Sequence, residues 1–218
     1  MIRGVIFDID GVVLDSMSIW NDLGARYLIS LGVEPEEGLN KILFSMSMEQ
    51  GAEYLKKRYN LVKTTAEILE GISQMLQDFY YMEVPAKAGA EQLMMFLRDK
   101  GIMITAATSS PRSHIEKALE RTGLLRFFDI IFTTGEIGIS KHSPDIYNKA
   151  AEFMKLSAGE VLVLEDSLYA LKTAKSAGYK TVGVYDKDGE TDQEGVKATG
   201  DIYITELKEL VNRWDELQ

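Results

Sequence analysis

The chain has 218 residues, 45% of them hydrophobic, which is enough for one or two domains with a sizeable core. It has no cysteine, which excludes disulfides, thiolate zinc sites and cysteine nucleophiles and fits a reducing cytoplasm. Its net charge is −10, and no apolar run approaches the roughly 20 residues that span a membrane, so we predict a cytoplasmic protein that binds neither nucleic acid nor a membrane.

Five short apolar segments predict the strands of a parallel sheet that is buried on both faces. The segments are Gly4–Phe7, Ile102–Ala107, Asp129–Phe132, Val161–Leu164 and Thr181–Tyr185, and the third has the weakest pattern. Helical patterns alternate with them and begin near Ala90, Ser110-Pro111, Ser143-Pro144 and Ser167. A serine N-cap followed by proline is a common helix start. This alternation predicts an α/β fold with a doubly wound, Rossmann-like parallel sheet.

One segment, from about residue 17 to residue 82, shows no strand pattern and carries three apolar helical faces. The faces consist of Leu23, Tyr27, Leu28 and Leu31; of Ala52, Leu55 and Tyr59; and of Ile68, Ile72, Met75, Leu76 and Phe79. We therefore predict a helical bundle over residues 17–82, inserted into a discontinuous α/β core of residues 1–16 and 83–218.

Two carboxylates follow the first predicted strand. Asp8 and Asp10 point to the same side of an extended chain, at the strand end where open α/β sheets bind ligands. Like charges this close repel each other unless a cation or a shared proton intervenes, so a divalent metal with acid–base chemistry is one interpretation. A solvated acidic turn at Gly11 is the other. A calcium-binding EF-hand is excluded because its terminal glutamate spacing is absent.

A second acidic pair, Glu165-Asp166, follows the strand Val161–Leu164. Taken alone, Asp166 is better explained as a helix cap. Parallel strands, however, bring their carboxyl ends to one edge of the sheet, so both acidic pairs are expected there. One metal ion could then be bound by Asp8, Asp166 and a backbone carbonyl.

Two further segments offer groups that suit a phosphate. The strand that ends at Thr108 leads into Ser109 and Ser110 just before a helix, where hydroxyl and amide donors bind anions. Lys141 precedes the next helix start, and a lysine can offset the charge of a phosphoryl group. Each has a simpler explanation, helix capping for Ser110 and a solvated loop residue for Lys141.

Taken in order, these motifs resemble those of haloacid dehalogenase-like hydrolases, in the subgroup of phosphoglycolate phosphatases and beta-phosphoglucomutases. The motifs are Asp8-Ile9-Asp10-Gly11-Val12-Val13-Leu14-Asp15-Ser16, the strand end at Thr108, Ser140-Lys141 before Pro144-Asp145-Ile146-Tyr147, and Glu165-Asp166-Ser167 before Ala177-Gly178. The resemblance covers nearly the whole chain and implies that the helical insert is the family's cap domain.

The resemblance implies a Mg²⁺-dependent phosphatase that hydrolyses a small phosphomonoester, such as a sugar phosphate, through an aspartyl-phosphate. Asp8 would attack phosphorus, and Asp10 would protonate the leaving oxygen and then activate water. Thr108, Ser109 and Lys141 would bind the phosphoryl group. Magnesium would be held by Asp8, Asp166 and the Asp10 backbone carbonyl, with Glu165 nearby or ligating.

Two departures from the family pattern affect the choice of activity. Trp20 stands where beta-phosphoglucomutases carry a cap histidine, which makes a phosphosugar mutase the alternative rather than the first prediction. Trp20 either packs between cap and core or stacks on substrate. His142 stands where proline commonly follows the lysine, and it either contacts substrate or only lies on the loop.

Two non-enzymatic interpretations compete with these. Receiver domains also combine an acidic cluster, Thr and Lys on an α/β sheet, but such a phosphate-accepting module explains neither the helical insert nor Asp10. A binding protein descended from the enzyme is a further alternative, against which the intact motifs argue. Sugar phosphates, nucleotides and phosphoglycolate all remain possible substrates, and we expect a monomer.

Overall fold

The computed structural model describes residues 1–43 and 46–217, and the chain divides into two compact units. One unit is the segment Ser18–Glu83, and the other combines Met1–Met17 with Val84–Gln218. Residues 44, 45 and 218 of the predicted domains lie outside the described residues. Among the described residues, no helix is both long enough and apolar enough to span a membrane.

In the described residues of the unit Ser18–Glu83, all regular secondary structure is helical. Its helices are α1 (Ile19–Ser30), α2 (Leu39–Leu43), α3 (Met48–Arg58) and α4 (Thr65–Asp78), and a π-helical turn follows at Phe79–Glu83. Capping boxes fix two of the starts: Ser47 and Gln50 at α3, and Thr64 and Glu67 at α4. Most residues of the three predicted apolar faces are buried, and four are partly buried: Leu31, Tyr59, Met75 and Leu76. The short helix α2 was not predicted.

The second unit contains a six-stranded sheet in which every pair of neighbours is parallel. The strands are β1 (Gly4–Phe7), β2 (Met103–Thr108), β3 (Ile130–Thr133), β4 (Val161–Glu165), β5 (Lys180–Val184) and β6 (Ile202–Ile204), in the spatial order β3-β2-β1-β4-β5-β6. Central β1 pairs with both β2 and β4, so that Phe7 lies opposite Ala106 and Leu164. The carboxyl ends of β1, β2 and β4 therefore lie side by side.

Seven α-helices accompany the sheet in the described part of this unit. They are α5 (Ala90–Asp99), α6 (Arg112–Arg121), α7 (Thr134–Ile137), α8 (Asp145–Met154), α9 (Leu168–Ser176), α10 (Gln193–Thr199) and α11 (Leu207–Asn212). On one face, α8 packs Ile146 and Tyr147 against Ile6 of β1 and Val163 of β4. The predicted doubly wound α/β fold is confirmed, and β6 is an additional edge strand.

The predicted serine N-cap at Ser110 is wrong. Helix α6 begins at Arg112 with Pro111 in the cap position, and α8 begins at Asp145 with Pro144 there. The hydroxyl groups donate to carboxylates instead: Ser110 to Asp10, and Ser143 to Asp145. A charged acceptor gives the stronger hydrogen bond, which explains why these hydroxyls do not cap the backbone.

Candidate active site

Asp8 is the first residue after β1, and it is buried. Its backbone N–H donates to the carbonyl of Leu164 on β4, 3.0 Å away, which continues the sheet pairing past the strand end. One carboxylate oxygen lies 2.6 Å from Nζ of Lys141. Lys141 comes from the loop before α8 and is also buried, so this ion pair is shielded from water.

Glu165 and Asp166 complete a buried acidic cluster around this pair. Glu165 ends β4, and its Oε1 lies 2.7 Å from the same Lys141 Nζ. Asp8, Glu165 and Asp166 each offer a carboxylate oxygen within 4.8 Å of the others, and all three residues are buried. Three carboxylates beside one ammonium leave an excess of negative charge in a poorly solvated place, which a divalent cation with oxygen ligands would neutralise.

The pKa values of the side chains in the cluster show that this negative charge is unfavourable. Burial raises the pKa of Asp8 well above its ordinary value, although the Lys141 ammonium opposes the shift. Burial and the nearby Glu165 carboxylate raise the pKa of Asp166 to about 7. For Lys141, burial alone would lower the pKa, but the Asp8 and Glu165 carboxylates outweigh it and hold the pKa above its ordinary value. Without a cation, the Asp8 and Asp166 carboxyl groups therefore resist full ionisation.

Asp10 is only half-buried, and two serines hold its carboxylate. Ser16 Oγ donates to Oδ1 at 2.7 Å, and Ser110 Oγ donates to Oδ2 at 2.6 Å. The Ser110 backbone N–H donates to Thr108 Oγ1 at 3.1 Å, which links Asp10 to the end of β2. Each carboxylate oxygen of Asp10 thus accepts a hydrogen bond from a serine hydroxyl group.

The other residues singled out from the sequence differ in burial and in the element that carries them. Thr108 is buried at the end of β2, and the next side chain, Ser109, is exposed. His142 is exposed, and its ring lies 4.4 Å from that of Tyr169, centroid to centroid. Trp20 belongs to the helical unit, is 47% exposed, and lines an apolar cavity within that unit.

Three residues of the site have contacts that the sequence analysis missed. Ser16 and Ser110 orient Asp10, and the buried phenol of Tyr147 on α8 donates to Glu165 Oε1 at 2.8 Å. All three lie inside or beside the motifs already noted, which is the only sequence signal for them. The contact between Ser16 and Asp10 is local, whereas the contacts of Ser110 and Tyr147 join different strand ends and helices and depend on strand order.

Comparison with known proteins places this arrangement in a family. The sequence profile of haloacid dehalogenase-like hydrolases matches residues 2–178. A phosphorylated carbohydrates phosphatase of Thermotoga maritima is 23% identical, over 96% of this chain and 97% of its own. Hexitol phosphatase B of Escherichia coli K12 is 24% identical, over 96% and 94%.

A solved structure shows the same fold over its whole length. The crystal structure of a candidate beta-phosphoglucomutase from Thermotoga maritima superposes with a TM-score of 0.88 at 23% identity, and all of both chains is covered. The profile match extends over most of the chain and includes every motif that carried the predicted resemblance. The chain therefore belongs to the haloacid dehalogenase-like hydrolases, among relatives that are named phosphatases.

Proposed function

We propose that this protein is a Mg²⁺-dependent phosphatase that hydrolyses a small phosphomonoester through a phosphoryl group carried on Asp8. The observation that carries the proposal is the buried Asp8 carboxylate, paired at 2.6 Å with Lys141 at the sheet edge where Glu165 and Asp166 converge. A nucleophilic carboxylate needs both a fixed position and a neighbouring positive charge, and this arrangement supplies both.

Magnesium fits the donor set. Hard carboxylate oxygens from three buried residues, two of which pair with Lys141, match the ligand preference of this ion. Asp8, Asp166 and the backbone carbonyl of Asp10 would hold it, with Glu165 as a further ligand. When bound, magnesium would neutralise charge on the phosphoryl oxygens.

The first half-reaction moves the phosphoryl group to the protein. A carboxylate oxygen of Asp8 forms a bond to phosphorus while the bond between phosphorus and the ester oxygen breaks. Asp10 gives its proton to that departing oxygen, which leaves as an alcohol. Lys141 balances negative charge at Asp8, and Thr108 and Ser109 donate to the phosphoryl oxygens.

The second half-reaction returns the protein to its starting state. Asp10, now a carboxylate, takes a proton from a water molecule as the water oxygen attacks phosphorus. The bond between phosphorus and Asp8 breaks and inorganic phosphate forms. The hydrogen bonds from Ser16 and Ser110 keep Asp10 in one orientation for both proton transfers.

For the substrate, we propose a phosphorylated sugar or sugar alcohol. The names of two relatives support this class, a phosphorylated carbohydrates phosphatase and a hexitol phosphatase. We also propose that the helical unit Ser18–Glu83 acts as the cap that selects the substrate and excludes water. A phosphosugar mutase is the second candidate, favoured by the likeness to the candidate beta-phosphoglucomutase.

The test is phosphate release from an aryl phosphate and a panel of sugar phosphates, measured with Mg²⁺, with a chelator, and with Asp8→Asn. We expect Mg²⁺-dependent release that falls by about 10⁴-fold or more in the variant. Conversion of a hexose 1-phosphate to the 6-phosphate without phosphate release would favour the mutase. Absence of turnover in a folded protein that binds Mg²⁺ would favour a phosphate-accepting module.

A further inference from the structure

A second buried ion pair lies at the same edge of the sheet, and the proposed mechanism does not use it. Lys87 precedes α5 and Asp186 follows β5, and their side chains are only 16% and 1% exposed. Lys87 Nζ lies 2.8 Å from Asp186 Oδ2. No hydrogen bond from the described residues reaches that oxygen, so the contact is an electrostatic pair. A buried pair of this kind calls for an explanation, because its desolvation is costly.

Lys87 also joins two segments of backbone. Its Nζ donates to the carbonyl of Gly11 at 2.5 Å and to that of Tyr185 at 2.8 Å. The first carbonyl belongs to the turn that contains Asp10, and the second to the loop that follows β5. With Asp186, Lys87 thus has three oxygen partners and fixes the turn relative to the loop.

Both segments pack against Asp166. A Cβ atom added at Gly189, in the loop, would lie 2.9 Å from Asp166 Oδ2 and 3.2 Å from the Cβ of Asp186. A Cβ added at Gly11, in the turn, would overlap the same Asp166 oxygen. The loop is shaped by Asp186 itself, whose Oδ1 accepts from the Asp188 N–H at 2.8 Å. The Asp166 carboxylate is therefore confined between two segments that Lys87 ties together.

We propose that Lys87 and Asp186 are positioning residues that hold the Gly11 turn and the Gly189 loop around Asp166, so that its carboxylate is set to bind magnesium. This inference rests on the proposed function, because it assigns Asp166 to the metal. Residues that orient a metal ligand without touching the ion commonly change metal affinity about 10–100-fold when they are replaced.

The direction of the change in Mg²⁺ affinity distinguishes a positioning role of Lys87 from a purely electrostatic one. Lys87 is a cation near the acidic cluster, so by charge alone its removal would strengthen Mg²⁺ binding. If Lys87 instead positions the turn and the loop, its removal would weaken Mg²⁺ binding. The measurement is made at pH 8.5, above the pKa of about 7 that burial gives Asp166, so that proton release from Asp166 contributes little to the Mg²⁺ binding that is measured.

The experiment compares Mg²⁺ binding to wild type, Lys87→Met and Lys175→Met by isothermal titration calorimetry at pH 8.5, with circular dichroism to check folding. Lys175 is a matched control, because its Nζ also bridges a carbonyl and a carboxylate, of Thr199 at 2.6 Å and of Asp201 at 3.2 Å. We expect the dissociation constant to rise about tenfold in Lys87→Met and to stay unchanged in Lys175→Met.

An unchanged or lower dissociation constant in folded Lys87→Met would overturn the inference. If Lys87→Met does not fold, Lys87→Gln is measured instead. It also removes the ammonium charge, so weaker Mg²⁺ binding would again support a positioning role, and an unchanged or lower dissociation constant would overturn it. Because the readout is binding, the result holds even if wild type releases no phosphate, an outcome that would refute the proposed activity separately.

Discussion

The two oxygens of Glu165 have different surroundings. Oε1 lies 2.7 Å from Lys141 Nζ and accepts from the Tyr147 hydroxyl at 2.8 Å. Among the residues that the structure describes, Oε2 has only a long contact, 3.4 Å, with the Ser167 hydroxyl. A carboxylate that is held through one oxygen leaves the other able to bind a cation. Tyr147 therefore orients Glu165 while it contributes to the core through its ring.

Replacing Tyr147 with Phe should weaken Mg²⁺ binding about tenfold, because the ring stays packed and only the hydrogen bond to Glu165 is lost. Tyr179→Phe is the control. Tyr179 is also a buried tyrosine, its ring lies 6.1 Å from that of Tyr147, and its hydroxyl donates to Asn148 away from the site. Both variants should lose about 1 kcal/mol of stability in urea unfolding. Equal Mg²⁺ affinities by calorimetry would contradict a role for Tyr147 in orienting Glu165.

At the scale of elements, two hydroxyl-bearing residues that precede helices use their hydroxyl groups differently. Thr64 Oγ1 caps α4 by accepting from the Glu67 N–H at 3.2 Å, and the Glu67 carboxylate accepts from the Thr64 N–H. Ser110 precedes α6 but donates to Asp10 instead. A cap contributes to helix stability, whereas a bond to Asp10 contributes to the orientation of the residue that we propose as the proton donor.

Alanine substitutions should separate these roles. Thr64→Ala should lower the free energy of unfolding by about 1 kcal/mol. Ser110→Ala should leave stability within about 0.5 kcal/mol and lower kcat, because Asp10 loses one of its two orienting bonds. Urea unfolding and steady-state kinetics on an aryl phosphate measure both effects. A Ser110→Ala protein with unchanged kcat and reduced stability would mean that the serine supports only the helix.

Helices and strands with a clear pattern of apolar side chains were predictable from the sequence, whereas the shortest ones were not. The apolar strands and the helical faces of α1, α3 and α4 follow from side-chain periodicity. Strand β6 has three residues and α2 has five, too few for a period to show. Lys87 contacts Gly11 and Tyr185, which are 76 and 98 positions away along the chain. These contacts depend on the order of the strands in the folded sheet, so no local sequence pattern predicts them.

At the scale of the whole molecule, the acidic cluster links folding to pH. Burial raises the pKa of Asp166 to about 7 in the metal-free protein, against about 3.9 for an unfolded chain. The folded state then binds more protons than the unfolded state between these values. The contribution of Asp166 to stability is therefore complete below about pH 4 and is lost as the pH rises through about 7.

We expect metal-free wild type to lose stability relative to Asp166→Asn as the pH is raised from about 5 to about 8, because asparagine does not ionise. Added Mg²⁺ should remove this loss in wild type, since the ion compensates the carboxylates. Urea unfolding with a chelator and with Mg²⁺ measures both. If the free energies of unfolding of the two metal-free proteins change with pH in the same way, Asp166 ionises without a loss of stability in the folded state.

The most direct test of the mechanism is to find the phosphoryl group on Asp8. Asp10→Asn lacks the base for the second half-reaction, but an aryl phosphate with a good leaving group needs no proton to react in the first. Under turnover with Mg²⁺ and an acid quench, mass spectrometry of this variant should show one added HPO₃ on the peptide that contains Asp8. Rapid phosphate release by wild type with no modified Asp8 in the variant would contradict the aspartyl-phosphate mechanism.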